Sequence, residues 1–437
     1  MTVRFISLLA IVSIATTGCS TLQGTSAPEP AAEDRNVGAQ RATSALNIDL
    51  SVPLSPDQLA AIAVLTNPDL IALRAREGVA DAQVFAAGLY PDPSFSFSAD
   101  QPRNAVGLTT ALAGSLGIDL ATLVQRPYRQ ELARQNRTQV RLDIAWSEWL
   151  TGEQTRLLAV RVARLRDIRV HTQLLRDMSQ NSLESVLNAA GRGDMSASGL
   201  EAYRLAAADA ADRDRNVEMR LSTAESDLNR GLGLAPQERL QLDAGAQRDA
   251  SISDADGLFV SALETRADLV AMQAGIDLQN DALELSQLAR YPYPAISFNA
   301  ARDTGNVRTL GPTVSFSLPL WNRGRGETAI ARATLAQLQA EYAARIENLR
   351  ADIYAAHTTL MIAREQRRDV ERMLAPLFPQ AAAAEVAAAR GDLSIASATA
   401  TRMTVLDRQI VESELALAVE ELEISLEMLT GRRLEGE

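Results

Sequence analysis

The sequence predicts a mainly α protein with a small β part, built from a duplicated unit of strand pair plus long α-helical hairpin. Three observations predict it. First, the chain nearly repeats itself. Tyr90-Pro91-Asp92-Pro93-Ser94-Phe95-Ser96-Phe97 returns as Tyr291-Pro292-Tyr293-Pro294-Ala295-Ile296-Ser297-Phe298, and Arg192-Gly193-Asp194-Met195-Ser196 returns as Arg390-Gly391-Asp392-Leu393-Ser394. The order is kept at an offset of about 200 residues, too long for a solenoid repeat and right for duplication of a whole unit. Second, only 4% of the 437 residues are aromatic, while Ala, Leu, Glu and Arg abound, a composition that favours long helices packed through small side chains. Third, the apolar positions switch between period two and heptad spacing, which separates strands from coiled-coil helices.

The N-terminus reads as a targeting segment. Arg4 precedes an apolar run from Phe5 to Ala15, about eleven residues, too short to span a bilayer and suited to a signal-peptide core. Thr17-Gly18-Cys19-Ser20 follows, so residues 1–18 are expected to be a signal peptide. The small residues before the Cys resemble a bacterial lipoprotein cleavage site, with Cys19 bearing the lipid. Cys19 is the single cysteine, so no internal disulfide can form. Residues 19–54 read as a lipid-anchored tether, rich in Ser, Thr, Pro and Ala with little periodicity. The first repeat is expected over 55–250 and the second over 251–437.

Within each repeat the elements follow in order. Ser55-Pro56-Asp57-Gln58 opens a helix, and Asn67-Pro68-Asp69-Leu70 opens a second that runs to about Leu89. Arg266-Ala267-Asp268-Leu269 is the counterpart in the second half, running to about Arg290. Each stops at Tyr-Pro-x-Pro, because proline ends helix and favours extended backbone. Phe95 and Phe97 then alternate with Ser94, Ser96 and Ser98, and Ile296 and Phe298 with Ser297 and Asn299. The partner strands carry Leu116, Ile118 and Leu120 in one half, and Val314, Phe316 and Leu318 in the other. Polar alternate positions and a weak signal per strand suit a membrane β-barrel, in which Phe95, Phe97, Ile296, Phe298, Val314 and Phe316 would face lipid. Four short strands cannot close a barrel, so copies from other subunits are required.

Helices make up the bulk. From Pro127 to Arg192 no proline interrupts, on the order of 95 Å of helix. After Gly193 a second helix returns to about Gly233, with apolar Leu200, Tyr203, Ala207, Ala210, Val217, Leu221, Ala224 and Leu228 on a heptad seam. Val405, Leu415, Val419, Leu422, Leu426 and Leu429 repeat it. Asp214 and Glu412 interrupt the two seams at matching places, as register devices or as groups facing a pore. Gly193 and Gly391 supply the positive φ of a helix C-cap, and the following Asp is expected to cap the next helix. Pro376 and Pro379 are expected to kink or break the first helix of the second hairpin.

Other functions are disfavoured. A net charge of −12 with no basic stripe argues against nucleic acid. His171 and His357 stand alone mid-helix, so no metal site is expected, and no phosphate loop or nucleophile elbow points to a cofactor or an enzyme. No later stretch holds eighteen consecutive apolar residues, which leaves membrane crossing to strands.

Signal segment, strand pair and long hairpin, then the same again: over about residues 55–433 this resembles the TolC-like outer-membrane factors of bacterial efflux and secretion. Leu318-Pro319-Leu320-Trp321-Asn322-Arg323-Gly324-Arg325-Gly326-Glu327 is similar to the segment that leads from the last barrel strand into the helices in the heavy-metal branch of that family. The first half, from Gly117 to Gln130, lacks this run. The resemblance implies a homotrimer whose strands form a 12-stranded membrane β-barrel, continued by a periplasmic α-helical barrel. It implies an outer-membrane location, lipid contact, and a periplasmic adaptor and inner-membrane pump as partners. Arg192, Gly193, Asp194, Arg390, Gly391 and Asp392 would then form the periplasmic tip that meets the adaptor. The expected role is the outer-membrane channel of a tripartite, RND-type efflux system. A type I secretion outlet and a non-channel periplasmic coiled-coil lipoprotein scaffold are the alternatives.

Overall fold

The computed structural model describes residues 52–103, 107–193, 196–243, 252–288, 291–318 and 320–434, together with Ser44, Leu46, Ile48 and Gly245. Cys19, Asp194 and the expected signal segment lie outside the described residues. The elements are α1 (Pro56–Thr66), α2 (Pro68–Gly88), β1 (Ser94–Asp100), β2 (Ala111–Asp119), α3 (Leu120–Gly191) and α4 (Ala197–Gly231). The same order then recurs as α5 (Ala255–Thr265), α6 (Ala267–Leu288), β3 (Pro294–Arg302), β4 (Arg308–Phe316), α7 (Arg325–Arg390) and α8 (Ile395–Thr430).

Two of these helices set the length of the molecule. α3 has 72 residues and α7 has 66, or about 108 Å and 99 Å at 1.5 Å per residue. α4 packs back along α3, and α8 along α7. α2 and α6 occupy the sheet-proximal stretch of the same long helices, α2 against α3 and α6 against both. The shorter helices meet end to end. The Asn67 side chain caps α2 by accepting from the Asp69 and Leu70 amides, while its Nδ2 donates to the Gly231 carbonyl at 3.0 Å, where α4 ends. At the equivalent joint of the second half, Thr265 Oγ1 donates to the Thr430 carbonyl at 2.6 Å and Arg266 to that of Leu429 at 2.9 Å. Carbonyls orphaned at one helix end are thus satisfied by the start of the next.

The core lies at this equatorial level. Leu59, Ile62, Val162, Leu165, Ile168, Leu221, Leu228 and Leu417 join α1, α3, α4 and α8. Leu258, Leu269, Leu349, Ile353, Leu360 and Leu426 join α5, α6, α7 and α8. α8 belongs to both clusters and also carries a row of carboxylates. Glu421 and Glu420 accept from Arg161 and Arg164 of α3 at 2.5 Å and 2.8 Å. Glu423 and Glu412 accept from Arg364 and Arg367 of α7 at 2.5 Å and 3.2 Å. Most buried of the arginines facing this row is Arg156 of α3, whose Nη1 donates to Glu153 and to Glu427 of α8, the latter at 2.5 Å, and whose charge lies 3.1 Å from Asp57 of α1. Burial pushes the Glu153 carboxyl up, only partly offset by the Arg156 charge, and the nearby Glu427 adds to the rise.

Several sequence expectations are corrected. Leu120 is not in a strand: β2 stops at Asp119, whose carboxylate accepts from the Ala121 amide at 2.9 Å and starts α3 directly. Leu318 likewise lies past the end of β4. Of the kink or break expected at Pro376 and Pro379, the break does not occur: α7 runs through both. Both prolines are exposed, so the carbonyls of Arg372 and Ala375, which lose their usual donors, can turn to water. Asp214 and Glu412, the two polar interruptions of the seams, both pair with the long helix of their own hairpin. Asp214 is buried and accepts from Thr172 Oγ1 at 3.2 Å and from Arg176, both on its hairpin partner α3, and Glu412 faces its own partner α7.

Two predictions follow from these charges. Replacing Arg156 by Ala leaves buried Glu153 only its 3.4 Å contact to Arg433 and Glu427 only the Leu434 amide at 2.9 Å, a loss of about 3 kcal/mol. A clear fall in the melting temperature followed by far-ultraviolet circular dichroism is expected, and an unchanged one refutes the account. At the second joint, burial raises the Asp268 carboxyl, but hydrogen bonds and charge from Arg266 and Arg345 outweigh it and the net direction is down from 3.8. A depressed folded pKa adds stability above the unfolded value that is lost as pH falls through the folded one. Asp268→Asn is therefore destabilising at pH 7, and its deficit should shrink as the melt is moved below pH 4.

Candidate functional site

The four strands form one antiparallel sheet in the order β1-β2-β3-β4. Pairing of β2 with β3 joins the two halves, with Leu116 opposite Phe298 and Ile118 opposite Ile296. Because cross-strand partners share a face and neighbours along a strand alternate, the register sorts every side chain. One face carries Phe95, Phe97, Leu112, Leu116, Ile118, Ile296, Phe298, Leu310, Pro312, Val314 and Phe316. The opposite face carries Ser94, Ser96, Ser98, Ser115, Ser297, Asn299, Thr309, Thr313 and Ser315. On it Ser96 and Ser115 hydroxyls bond at 2.8 Å and Asn299 donates to Thr313.

The apolar face is uncovered. Phe95 is 73% exposed, and Phe97, Ile296, Phe298, Val314 and Phe316 are exposed as well. All six residues singled out from the sequence thus lie together on one face of one sheet. Among the described residues the outer edges of β1 and β4 pair with no further strand. Three strands are nine residues long and β1 is seven, against the roughly 9–11 residues a tilted strand needs to cross a bilayer. No described helix is long and apolar enough to cross a membrane.

The sheet joins the helices differently in the two halves. β2 passes directly into α3. β4 reaches α7 through Trp321-Asn322-Arg323-Gly324, where Arg323 has φ 50° and Gly324 has φ 66°. The Arg325 amide donates to the Asn322 carbonyl at 2.9 Å and its guanidinium to the Trp321 carbonyl at 2.9 Å. Trp321, at the start of this turn, is 82% exposed.

At the far end are the two hairpin turns. Gly193 and Gly391 have φ of 83° and 84°. After α7 the Gly391, Asp392 and Leu393 amides return to the carbonyls of Ala388, Ala387 and Ala387, closing the helix in the left-handed fashion that glycine allows. Serines cap the returning helices, and Asp392 does not take the capping role expected of it. Ser196 accepts from the Gly199 amide at 3.3 Å, and Ser394 from the Ser397 amide at 3.1 Å. Arg192, Arg390 and Asp392 are exposed. Ion pairs of Arg213 with Asp407 and of Arg220 with Glu414 both span 194 residues, so α4 and α8 run parallel in a constant register that brings the two turns to a similar level. Among the described residues no group of three or more His, Cys, Asp and Glu is placed to hold a metal ion.

No family model matches this sequence, and no curated protein matches it. Solved structures do. The chain is similar to the CmeC outer membrane channel of Campylobacter jejuni, with 14% identity, a TM-score of 0.68, and coverage of 87% of this chain and 86% of that one. It is similar to the outer membrane protein VceC of Vibrio cholerae, with 16% identity, a TM-score of 0.65, and coverage of 87% and 97%. The open state of the MtrE outer membrane channel of Neisseria gonorrhoeae has 12% identity, a TM-score of 0.64, and coverage of 87% and 89%. The fold is therefore that of the TolC-like outer-membrane factors.

A Cβ added at Gly391 would meet nothing within 4 Å, so the cost of Gly391→Ala is the left-handed backbone alone, about 1 kcal/mol. Hydrogen exchange of the Asp392 and Leu393 amides should quicken by about fivefold. Unchanged exchange there would mean the turn does not depend on glycine.

Proposed function

We propose that the chain is the outer-membrane channel component of a tripartite, RND-type efflux system, a passive conduit that works as a homotrimer. The observation that carries this reading is the uncovered four-stranded sheet, apolar on one face, polar on the other and open at both edges. Within a bilayer every backbone donor and acceptor needs an internal partner, so open edges must close on further strands. Three copies supply a 12-stranded barrel with the phenylalanines toward lipid and the serine face toward the lumen. A water-soluble scaffold would instead leave the whole apolar face in water, at roughly 25 cal/mol for each Å² of it.

The helices supply the rest of the conduit. At about 100 Å they suit a tunnel reaching across the periplasm, and Cys19 would anchor the chain N-terminus to the outer membrane. The tip formed by Arg192, Gly193, Asp194, Arg390, Gly391 and Asp392 is the natural contact for a periplasmic adaptor, itself coupled to an inner-membrane pump. Exposed charges at that tip would hold it closed by contacts between neighbouring copies.

Outer-membrane fractions should give a heat-modifiable trimer, and the purified trimer should conduct in planar bilayers. A soluble monomer without conductance would overturn the reading in favour of a scaffold. In the same bilayers, Asp194→Ala combined with Asp392→Ala should raise single-channel conductance severalfold, and an unchanged closed state would remove charge at the tip from the gating mechanism.

A further inference from the structure

The apolar face of the sheet is interrupted at one level only. Arg302 of β3 and Arg308 of β4 are cross-strand partners, and Leu112 and Ala99 complete their row. Both arginines therefore rise from the face that carries the phenylalanines, at the end of the sheet farthest from the helices. Like charges directly opposite each other on a sheet are destabilising, so this pair calls for an anion between them.

None of the described residues supplies one. Arg302 donates from Nη2 to the Thr110 carbonyl at 3.1 Å, but its Nε is buried with no acceptor. The Arg308 side chain has no hydrogen-bond or ion-pair partner among the described residues. The nearest acid in sequence, Asp303, is engaged in its own turn, where Oδ1 accepts from the Val307 amide at 2.8 Å. Asp100 lies on the opposite face, in register with Ala111. Immediately beside the arginines, Phe97, Leu112 and Leu310 line the same shallow depression of about 500 Å³. Two guanidinium groups thus stand at the rim of an exposed apolar hollow.

We propose that Arg302 and Arg308 bind the phosphate of a membrane lipid whose acyl chains lie along Phe97, Leu112 and Leu310. The chemistry fits on both counts. A phosphate monoester carries about −1.5 to −2 charge at neutral pH and three acceptor oxygens, matching two guanidinium forks. The apolar hollow gives the chains a surface that free phosphate cannot use. This rests on the barrel reading above, under which the helices are periplasmic and the arginine row lies in the outer leaflet. A phosphorylated glycolipid of that leaflet is the occupant.

The test uses the purified full-length protein in detergent, titrated with lipid A, with chemically dephosphorylated lipid A and with inorganic phosphate, adducts being counted by native mass spectrometry. Lipid A should bind at least tenfold more tightly than its dephosphorylated form. Arg302→Gln with Arg308→Gln should abolish that preference, and Arg302→Lys with Arg308→Lys should keep part of it. Equal binding of the two lipids, or an unaltered preference in the double Gln variant, overturns the proposal. So does full displacement by millimolar inorganic phosphate, which would mark an anion site without lipid specificity. Heat-modifiable trimer and bilayer conductance are read on each sample. Their loss in the wild type tells against the barrel itself, whereas an intact conducting trimer without lipid preference tells against the lipid site alone.

Discussion

The row of carboxylates on α8 is the interaction on which the helical body depends. Glu420, Glu421 and Glu427 are held by arginines of α3, while Glu412 and Glu423 are held by arginines of α7. α3 comes from the first repeat and α7 from the second, so one helix fastens both halves of the duplication. Small apolar side chains alone would do this poorly. A seam of Ala, Val and Leu over ten turns of helix tolerates sliding by one heptad, because each register buries similar area. Charges at irregular spacing remove that freedom. A slip would leave a buried carboxylate opposite an apolar wall, at several kcal/mol for each ion. The pairs therefore contribute register more than net stability, and Asp214 with Thr172 and Arg176 does the same within the first hairpin.

Register in the helices sets geometry at the sheet. α3 begins one residue after β2, and α7 begins a short turn after β4. A sliding helix would drag its strand along the sheet, and a one-residue slip in a strand exchanges its two faces. The Phe and Ser faces stay sorted only if the long helices are fixed relative to each other. The end-to-end joints serve the same purpose from the other side. Asn67 ties α2 to the end of α4, and Thr265 with Arg266 ties α6 to the end of α8. Each joint turns two helices into one continuous stave.

Much of this was legible in the sequence, because periodicity reports burial wherever a surface is half covered. Ala210, Val217, Leu221, Ala224 and Leu228 were read as a seam and are buried, and the period-two runs locate all four strands. What escaped has physical causes. Leu116, Ile118 and Leu120 alternate without a break, but Asp119 caps a helix and ends the strand one residue earlier. Serines rather than aspartates cap the returning helices, since two residue types with the same capping chemistry stand within a few positions of each other. The pairing of β2 with β3 joins residues nearly 180 apart in sequence, and no local pattern carries such a contact. Arg302 and Arg308 passed unnoticed because they stand at strand ends, where alternation is read with least support. Their parity relative to Ile296 and Val314 was the available signal.

The two halves differ most where they meet different surroundings. At the sheet, the first half enters its helix through a single capped residue, and the second through a rigid turn with two left-handed positions and an exposed Trp321. Strict symmetry would give each chain two identical junctions. In a closed ring of three chains, however, one junction must follow an internal strand and the other an edge strand that pairs with the next copy. Under the trimeric reading proposed above, the extra turn residues fall at the junction whose strand pairs with another copy, and the direct junction follows the strand paired on both sides within its own chain. Under that reading the divergence of the repeats is what a duplicated unit needs where its ends join other copies rather than each other.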